Sequence, residues 1–284
     1  MKKIPTAIMM SGKGTNAFKI IEEKSPNLDI RLIFSDNPLS NAKNIATVKG
    51  LEFEINDIYK FCGVGNAPDK LTGDDRIKLK NKELRKQFDL NTSKVLKKYG
   101  IELIATAGYD WVMDAILPAT YVIVNVHPGD LRKRNADGKP LYAGLRWIPT
   151  AKAILNGEEY AYTSTHLITP ELDGGPIARI SSPVMIVLPA GINKDNILPA
   201  GITLKDVIKD IDYNHGKIFG NSTLYTHSKS VQEKLKERGD WVEFPLTMHV
   251  IGEYMLNDRF TRNEKRELYL DGKSIQHGFL MNVK

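Results

Sequence analysis

The sequence has a single cysteine, Cys62, among 284 residues. One cysteine excludes an internal disulfide and a metal site built from cysteine thiolates, which fits a reducing compartment. Long apolar runs are lacking as well. The first apolar stretch, TAIMM after Pro5, is too short for a secretory leader or a membrane-spanning helix. We therefore expect a cytoplasmic protein that has no membrane partner.

Positive charge is in only modest excess, with 40 lysines and arginines against 34 acidic residues and a net charge of +6. Much of the excess falls in residues 75–100, where apolar residues recur at helical spacing before Gly100. Aromatic residues are not interleaved with these charges, so the segment is typical of a solvated helix face and not of a nucleic-acid patch. We expect no nucleic-acid partner, whereas a mildly basic surface attracts phosphorylated small molecules.

Short apolar runs alternate with helix-like segments, which predicts an α/β fold with a doubly wound, mostly parallel, Rossmann-like sheet. The predicted strands lie at 6–10, 29–35, 51–55, 102–107 and 121–126, with two more at 163–169 and 179–187. A helix is predicted at 148–156, closed by Gly157.

The whole chain, 1–284, is predicted to form one catalytic domain. The core covers about 1–188. The alternation then weakens at about 189–239, which is rich in turn residues and is interpreted as an insertion, with a capping box at Thr203 and Asp206. A C-terminal helix and a β-hairpin turning at Asp271 and Gly272 occupy about 240–284.

The first chemical motif is SGKGTN at 11–16, which follows a predicted strand and opens a helix. Backbone N–H groups from Gly12 to Asn16 can converge there on an anion such as a phosphate. With Asp36 about twenty residues later, the motif also matches a dinucleotide-binding fingerprint whose acidic residue binds a ribose hydroxyl. A tight turn that needs glycine for steric reasons is a third interpretation. The motif alone leaves all three open.

Polar residues also stand where later strands end. Asn125 and His127 are two residues apart, so they project to the same face at the edge where open α/β sheets bind ligands. The strand ending at Ala107 and Gly108 leads into a neighbouring loop. Asp173 precedes two glycines in a turn, where it can accept hydrogen bonds from backbone N–H groups. Each of these features, taken alone, is ordinary.

Together and in this order, the motifs resemble the folate-dependent formyltransferase family, most closely its branch that formylates glycinamide ribonucleotide. The motifs are SGKGTN, IELIATAGY, VNVHP, YAGL, GEEYAYTSTHLITPELDGGPI and LYLDG. They span most of residues 4–186, with scattered agreement at 240–275. The resemblance implies a purine-biosynthesis enzyme that transfers a formyl group from 10-formyltetrahydrofolate to the amine of glycinamide ribonucleotide. It requires no metal, its partners are small molecules, and it is a monomer or a homodimer.

The resemblance also implies roles for individual residues. Asn125 and His127 would donate hydrogen bonds to the oxygen of a tetrahedral intermediate, and Asp173 would assist proton transfer. The residues implied for binding the phosphorylated substrate are Gly12, Lys13, Gly14, Thr15, Asn16, Pro128, Gly144 and Asp240. The residues implied for binding the folate are Tyr109, Asp110, Trp111, Val112, Met113, Ile168, Thr169, Pro170 and Glu171.

Three departures from the family affect the predicted binding loops. Asp110 and Trp111 replace a Met-Arg pair, the segment 129–143 is longer and more charged, and Asp240 replaces a glutamate. One alternative is therefore a formyltransferase of the same family that acts on another amine, an amino sugar or an amino acid derivative. The other is a nicotinamide dinucleotide-binding protein that uses the glycine loop and Asp36. That alternative gives the three catalytic candidates no role.

Overall fold

The computed structural model describes residues 2–65, 70–213, 215–265, 267–275 and 278–279. Its strands are β1 (Ile4–Met10), β2 (Leu28–Ser35), β3 (Glu52–Ile55), β4 (Leu103–Thr106), β5 (Val122–His127), β6 (Tyr160–Ala161), β7 (Ser164–Leu167), β8 (Ile177–Ile180), β9 (Val184–Met185), β10 (Phe260–Arg262), β11 (Leu268–Leu270) and β12 (Lys273–Ser274). Its helices are α1 (Thr15–Glu22), α2 (Ala42–Lys49), α3 (Ile58–Phe61), α4 (Gly73–Leu79), α5 (Lys82–Lys98), α6 (Ile116–Thr120), α7 (Ile148–Leu155), α8 (Leu204–Tyr213), α9 (Thr223–Leu235) and α10 (Phe244–Leu256). A π-helix (Lys236–Glu243) joins α9 to α10. The last residues of the predicted C-terminal segment, 276–277 and 280–284, lie outside the described residues.

The main sheet has seven strands in the order β3-β2-β1-β4-β5-β7-β8. Strands β1 to β5 are parallel, and at one edge β7 pairs antiparallel with both β5 and β8. The predicted doubly wound, mostly parallel sheet is confirmed. The strand order reverses between β1 and β4, so their carboxyl ends form the crevice where such sheets bind ligands.

Both faces of the sheet are covered, which explains the continuous apolar character of the central strands. All seven residues of β1 are buried. Ile8 packs on one face with Met248 of α10, and Met9 packs on the other face with Leu96 of α5. This alternation follows from the two-residue period of a strand.

Two segments were each predicted to form a single element, and each forms two. The basic segment 75–100 forms α4 and α5 because the Asn81 side chain accepts the Leu84 N–H at 3.1 Å and starts a new helix. The segment 179–187 contributes to β8 in the main sheet and then to β9, which pairs with β6. Pro183, which has no N–H to donate, lies between the two strands.

Other local predictions are confirmed. Helix α7 ends before Gly157, Thr203 and Asp206 form the reciprocal hydrogen bonds of a capping box, and β11 pairs with β12 around Asp271 and Gly272. Both turn residues have positive φ, as a tight two-residue hairpin turn requires.

The segment 189–239 supplies α8 and α9, which pack on α7 through an apolar cluster that includes Trp147, Val207 and Leu224. Gly239 of the π-helix lies so close to Thr163 that a Cβ at this glycine would be 2.4 Å from the Thr163 Cβ. The division into core, insertion and C-terminal segment stays a prediction. No helix in the described part of the chain is long and apolar enough to cross a membrane.

Candidate active site

The carboxyl ends of β1, β4 and β5 border a cavity of about 470 Å³. All eight residues predicted to bind the phosphorylated substrate line it, together with Asn125, His127 and Asp173. A cleft of about 70 Å³ lies beside this cavity and is lined by every residue predicted to bind folate except Asp110, which lines the larger cavity. Asn125 and Asp173 line both spaces.

The glycine loop connects β1 to α1 at the edge of the larger cavity. Gly14 has φ of +78°, and a Cβ there would be 2.3 Å from the Ile45 Cδ1 atom. The glycine therefore meets both a conformational and a steric requirement. The steric interpretation and the anion-binding interpretation of this motif are compatible, because no side chain among the described residues caps the N-terminus of α1 and its first residues, Thr15 and Asn16, line the cavity.

Asp36, the residue on which the dinucleotide interpretation depends, is only 3% exposed and does not line the cavity. Its carboxylate accepts the Ser11 hydroxyl proton at 2.6 Å. Burial raises the pKa of Asp36 to about 7. A carboxylate that is buried behind the loop is not placed to bind a ribose hydroxyl in the cavity, so this structure gives the dinucleotide interpretation no ribose contact.

Hydrogen bonds on both sides fix the Asn125 amide. Its Oδ1 accepts from the Thr106 hydroxyl at 2.8 Å, and its Nδ2 lies 3.2 Å from Nε2 of His166. The His166 Nδ1 lies 3.1 Å from the Leu167 carbonyl, which can only accept, so Nδ1 carries the proton and Nε2 accepts from Asn125. Burial lowers the pKa of His166 to about 4, which keeps this ring neutral. Asn125 thus retains one N–H that His166 does not take.

His166 is a residue that sequence reasoning missed. It lies directly opposite Asn125 in the antiparallel pairing of β5 and β7. Its sequence context, THLIT, carries no signal of its own because the pairing register becomes visible only in the sheet.

Asp173 lies beside both histidines of the site. Its Oδ1 lies 3.5 Å from Nδ1 of His127 and 4.0 Å from Nε2 of His166, and its Oδ2 accepts the Gly144 N–H at 3.1 Å. The Nε2 of His127 lies 2.8 Å from the Tyr142 carbonyl, so this nitrogen carries a proton. A second proton on Nδ1 would make the ring an imidazolium that faces a carboxylate. Because Tyr142 occupies Nε2, only the Nδ1 side of His127 is available to a reacting group.

Asp240 lies on the π-helix, opposite the glycine loop. It is 8% exposed, it accepts from the Asn16 amide at 2.7 Å, and burial raises its pKa to about 7. Gln232 and Lys236 line the same cavity at successive spacings of four residues before Asp240. This spacing in one helical run is a signal that sequence reasoning missed. Within the described residues, no group of three or more potential metal-ligating side chains was found.

Known proteins resemble this chain in sequence and in fold. No family model matches the sequence. Phosphoribosylglycinamide formyltransferase of Escherichia coli (strain K12) is 27% identical over 196 residues, which cover 67% of this chain and 76% of that protein. By sequence and fold, the chain is similar to phosphoribosylglycinamide formyltransferases.

Solved structures show the same fold at lower identity. The phosphoribosylglycinamide formyltransferase of Coxiella burnetii is 17% identical, with a TM-score of 0.58 and coverage of 99% of this chain and 100% of that one. The enzyme of Anaplasma phagocytophilum is 16% identical, with a TM-score of 0.54 and coverage of 98% and 99%. These likenesses show the fold alone.

The loop 109–113 of this formyltransferase-like chain is supported from behind by α5. The Arg85 guanidinium stacks on the Trp111 ring at 5.0 Å and donates to the Val112 carbonyl. Asp89 accepts the Asp114 N–H at 2.5 Å. Trp111 stands where the resemblance leads us to expect arginine, and Arg85 of α5 places a cation against its ring. At the cavity, Arg146 forms an ion pair with Asp110 at 2.9 Å.

Proposed function

We propose that the chain transfers the formyl group of 10-formyltetrahydrofolate to the amine of glycinamide ribonucleotide. The observation that carries the proposal is that Asn125 and Asp173 line both the larger cavity and the neighbouring cleft. A ribonucleotide in one space and a folate in the other would meet at these two side chains. Formyl transfer needs this arrangement, because the amine must reach the formyl carbon directly.

The larger cavity suits a phosphorylated amine. The glycine loop offers backbone N–H groups to the phosphate, and Lys13 adds a positive charge at the rim. Asp240 stands on the other wall, where a ligand's polar groups can reach its carboxyl group. None of the residues 129–143, the longer and more charged segment, lines this cavity. The departure in that segment therefore gives no reason to choose another acceptor.

In the first step the amine nitrogen attacks the formyl carbon, and negative charge develops on the formyl oxygen. The remaining N–H of Asn125 can donate to that oxygen, and the Nδ1–H of a protonated His127 can contribute a second donor. Donors that are fixed before the reaction favour the transition state, and each is worth about 3 kcal/mol. The contacts from Thr106 and His166 fix the Asn125 donor.

In the second step a proton must move from the attacking nitrogen to the leaving nitrogen of the folate. Asp173 is placed to accept the amine proton, directly or through water, and to return it to the leaving nitrogen. Collapse of the oxyanion then breaks the bond between the formyl carbon and that nitrogen. The products are the formylated amide and tetrahydrofolate, and the step needs no other reactant.

The decisive experiment follows 10-formyltetrahydrofolate conversion to tetrahydrofolate by absorbance, with and without glycinamide ribonucleotide. Conversion that depends on the ribonucleotide is the expected result. If conversion instead required an amino sugar or an amino acid derivative, glycinamide ribonucleotide would be the wrong acceptor, but formyl transfer would remain the reaction. NAD binding without folate binding would refute the proposal.

A further inference from the structure

One buried hydroxyl, that of Ser11, connects the two loops that line the two substrate spaces. Ser11 immediately precedes the glycine loop, and its N–H donates to the Gly108 carbonyl at 2.9 Å. Its Oγ accepts the Asp110 N–H at 3.0 Å and donates to Asp36 at 2.6 Å. Asp110 leads into the residues that line the predicted folate cleft.

The directions of these hydrogen bonds are set by chemistry. A backbone N–H can only donate, so the Ser11 oxygen accepts from Asp110, and its single proton goes to Asp36 when that residue is ionised. Asn37 donates to the Ser11 carbonyl at 2.9 Å and fixes the backbone on the other side. Ser11 therefore joins the glycine loop to Asp110 through a single hydroxyl.

We propose that Ser11, oriented by Asp36, couples the binding of the two substrates, so that each ligand strengthens the binding of the other. A phosphate that engages the N–H groups after Ser11 fixes the backbone at that residue. Because the Ser11 hydroxyl accepts the Asp110 N–H, fixing Ser11 also fixes Asp110 and the cleft residues that follow it. Coupling of this kind is reciprocal between the two ligands. Asp36 and Ser11 act as positioning residues. The inference rests on the proposed function, since it requires both ligands.

The test measures the Kd of tetrahydrofolate by calorimetry with and without saturating glycinamide ribonucleotide, a pair that cannot react because no formyl group is present. We expect the ribonucleotide to lower this Kd at least about fivefold in the wild type, within the usual range of allosteric coupling. Ser11→Ala should reduce the ratio of the two Kd values to about one while each ligand alone still binds.

Two substitutions at Asp36 keep the test informative if Ser11→Ala fails to fold. Asp36→Asn retains an oxygen that accepts the Ser11 proton and should keep the coupling ratio, whereas Asp36→Ala should lose it. Thr47→Ala is the matched control, because it removes an exposed hydroxyl that bonds only its own helix, at the Lys43 carbonyl. It should leave the ratio unchanged.

The outcomes separate this inference from the proposed function. If the wild type binds both ligands but the ratio is one, the coupling is refuted and the proposed function stands. A wild-type ratio that survives both Ser11→Ala and Asp36→Ala would also refute the role of Ser11. Absence of tetrahydrofolate binding to the wild type would overturn the proposed function and this inference with it.

Discussion

Replacement of Asp173 by asparagine tests the charge at the centre of the site. The substitution keeps the shape of the side chain, and asparagine tolerates the positive φ of 52° found at this position. The amide oxygen can still accept the Gly144 N–H, and the amide nitrogen then faces Nδ1 of His127. The substitution therefore replaces the negative charge beside Nδ1 with a neutral hydrogen-bond donor.

The size of the effect follows from the distance between the two groups. Opposite unit charges 3.5 Å apart interact by about 5 kcal/mol at an effective dielectric constant of about 20. Both side chains are buried, so solvent screens this attraction little. Because about 1.4 kcal/mol is one decade in rate, we expect the kcat of Asp173→Asn to fall on the order of a thousandfold. The KM values should change little, because the groups proposed to bind the two ligands lie elsewhere.

The assay is steady-state formyl transfer at saturating folate, with the ribonucleotide concentration varied. Asp137→Asn, a matched change at an exposed aspartate outside the cavity, serves as the control and should leave kcat unchanged. Circular dichroism should show the wild-type fold for both variants. A kcat for Asp173→Asn within tenfold of the wild-type value would refute the assigned role of the carboxylate.

Three further predictions use the same structure. Gly239→Ala should lower the free energy of unfolding by about 1–3 kcal/mol and reduce activity, because the new Cβ would lie 2.4 Å from the Thr163 Cβ and displace the π-helix. Urea unfolding and turnover measure these two effects, and wild-type values for both would contradict the prediction. Lys13→Ala should raise the KM for the phosphorylated substrate about fivefold, since an exposed charge pair is worth about 1 kcal/mol, whereas the control Lys43→Ala should leave this KM unchanged. A wild-type KM for Lys13→Ala would show that Lys13 does not bind the phosphate. Burial raises the pKa of Asp89 from 3.8 to about 7, so the folded state holds a proton that the unfolded state releases, and stability falls as pH rises between about 4 and 7. Asp89→Asn should reduce the loss of unfolding free energy between pH 4 and pH 8 by about 4 kcal/mol, as measured by urea unfolding at the two pH values. The same loss in the variant and the wild type would contradict the raised pKa of Asp89.

The sequence indicated the edge of the sheet where the site forms, because strand signals are local. Asn125 and His127 follow an apolar run at a two-residue interval, and this interval alone places them on one face at a strand end. The glycine loop likewise follows the first strand directly. Both inferences need only short-range geometry and the rule that parallel strands end at a common edge.

Other parts of the site depend on contacts between distant residues. Asn125 and His166 are 41 residues apart and become neighbours through the register of two antiparallel strands. Asp36 matched a fingerprint in sequence, but its carboxylate turns inward to Ser11. Its burial depends on how β1, β2 and the loop after β4 pack, which no local pattern encodes.

The hydrogen bonds around Asn125 leave one donor that suits the proposed oxyanion. The Leu167 carbonyl fixes the tautomer of His166, and that tautomer accepts one proton from the Asn125 amide. The amide oxygen accepts from the Thr106 hydroxyl, and a flipped amide would place its oxygen against the accepting Nε2 of His166 and lose that contact. Only one amide proton of Asn125 then remains for a ligand, at the boundary of the two spaces. Such a donor needs no rearrangement when the oxyanion forms, which is the condition under which a hydrogen bond accelerates a reaction.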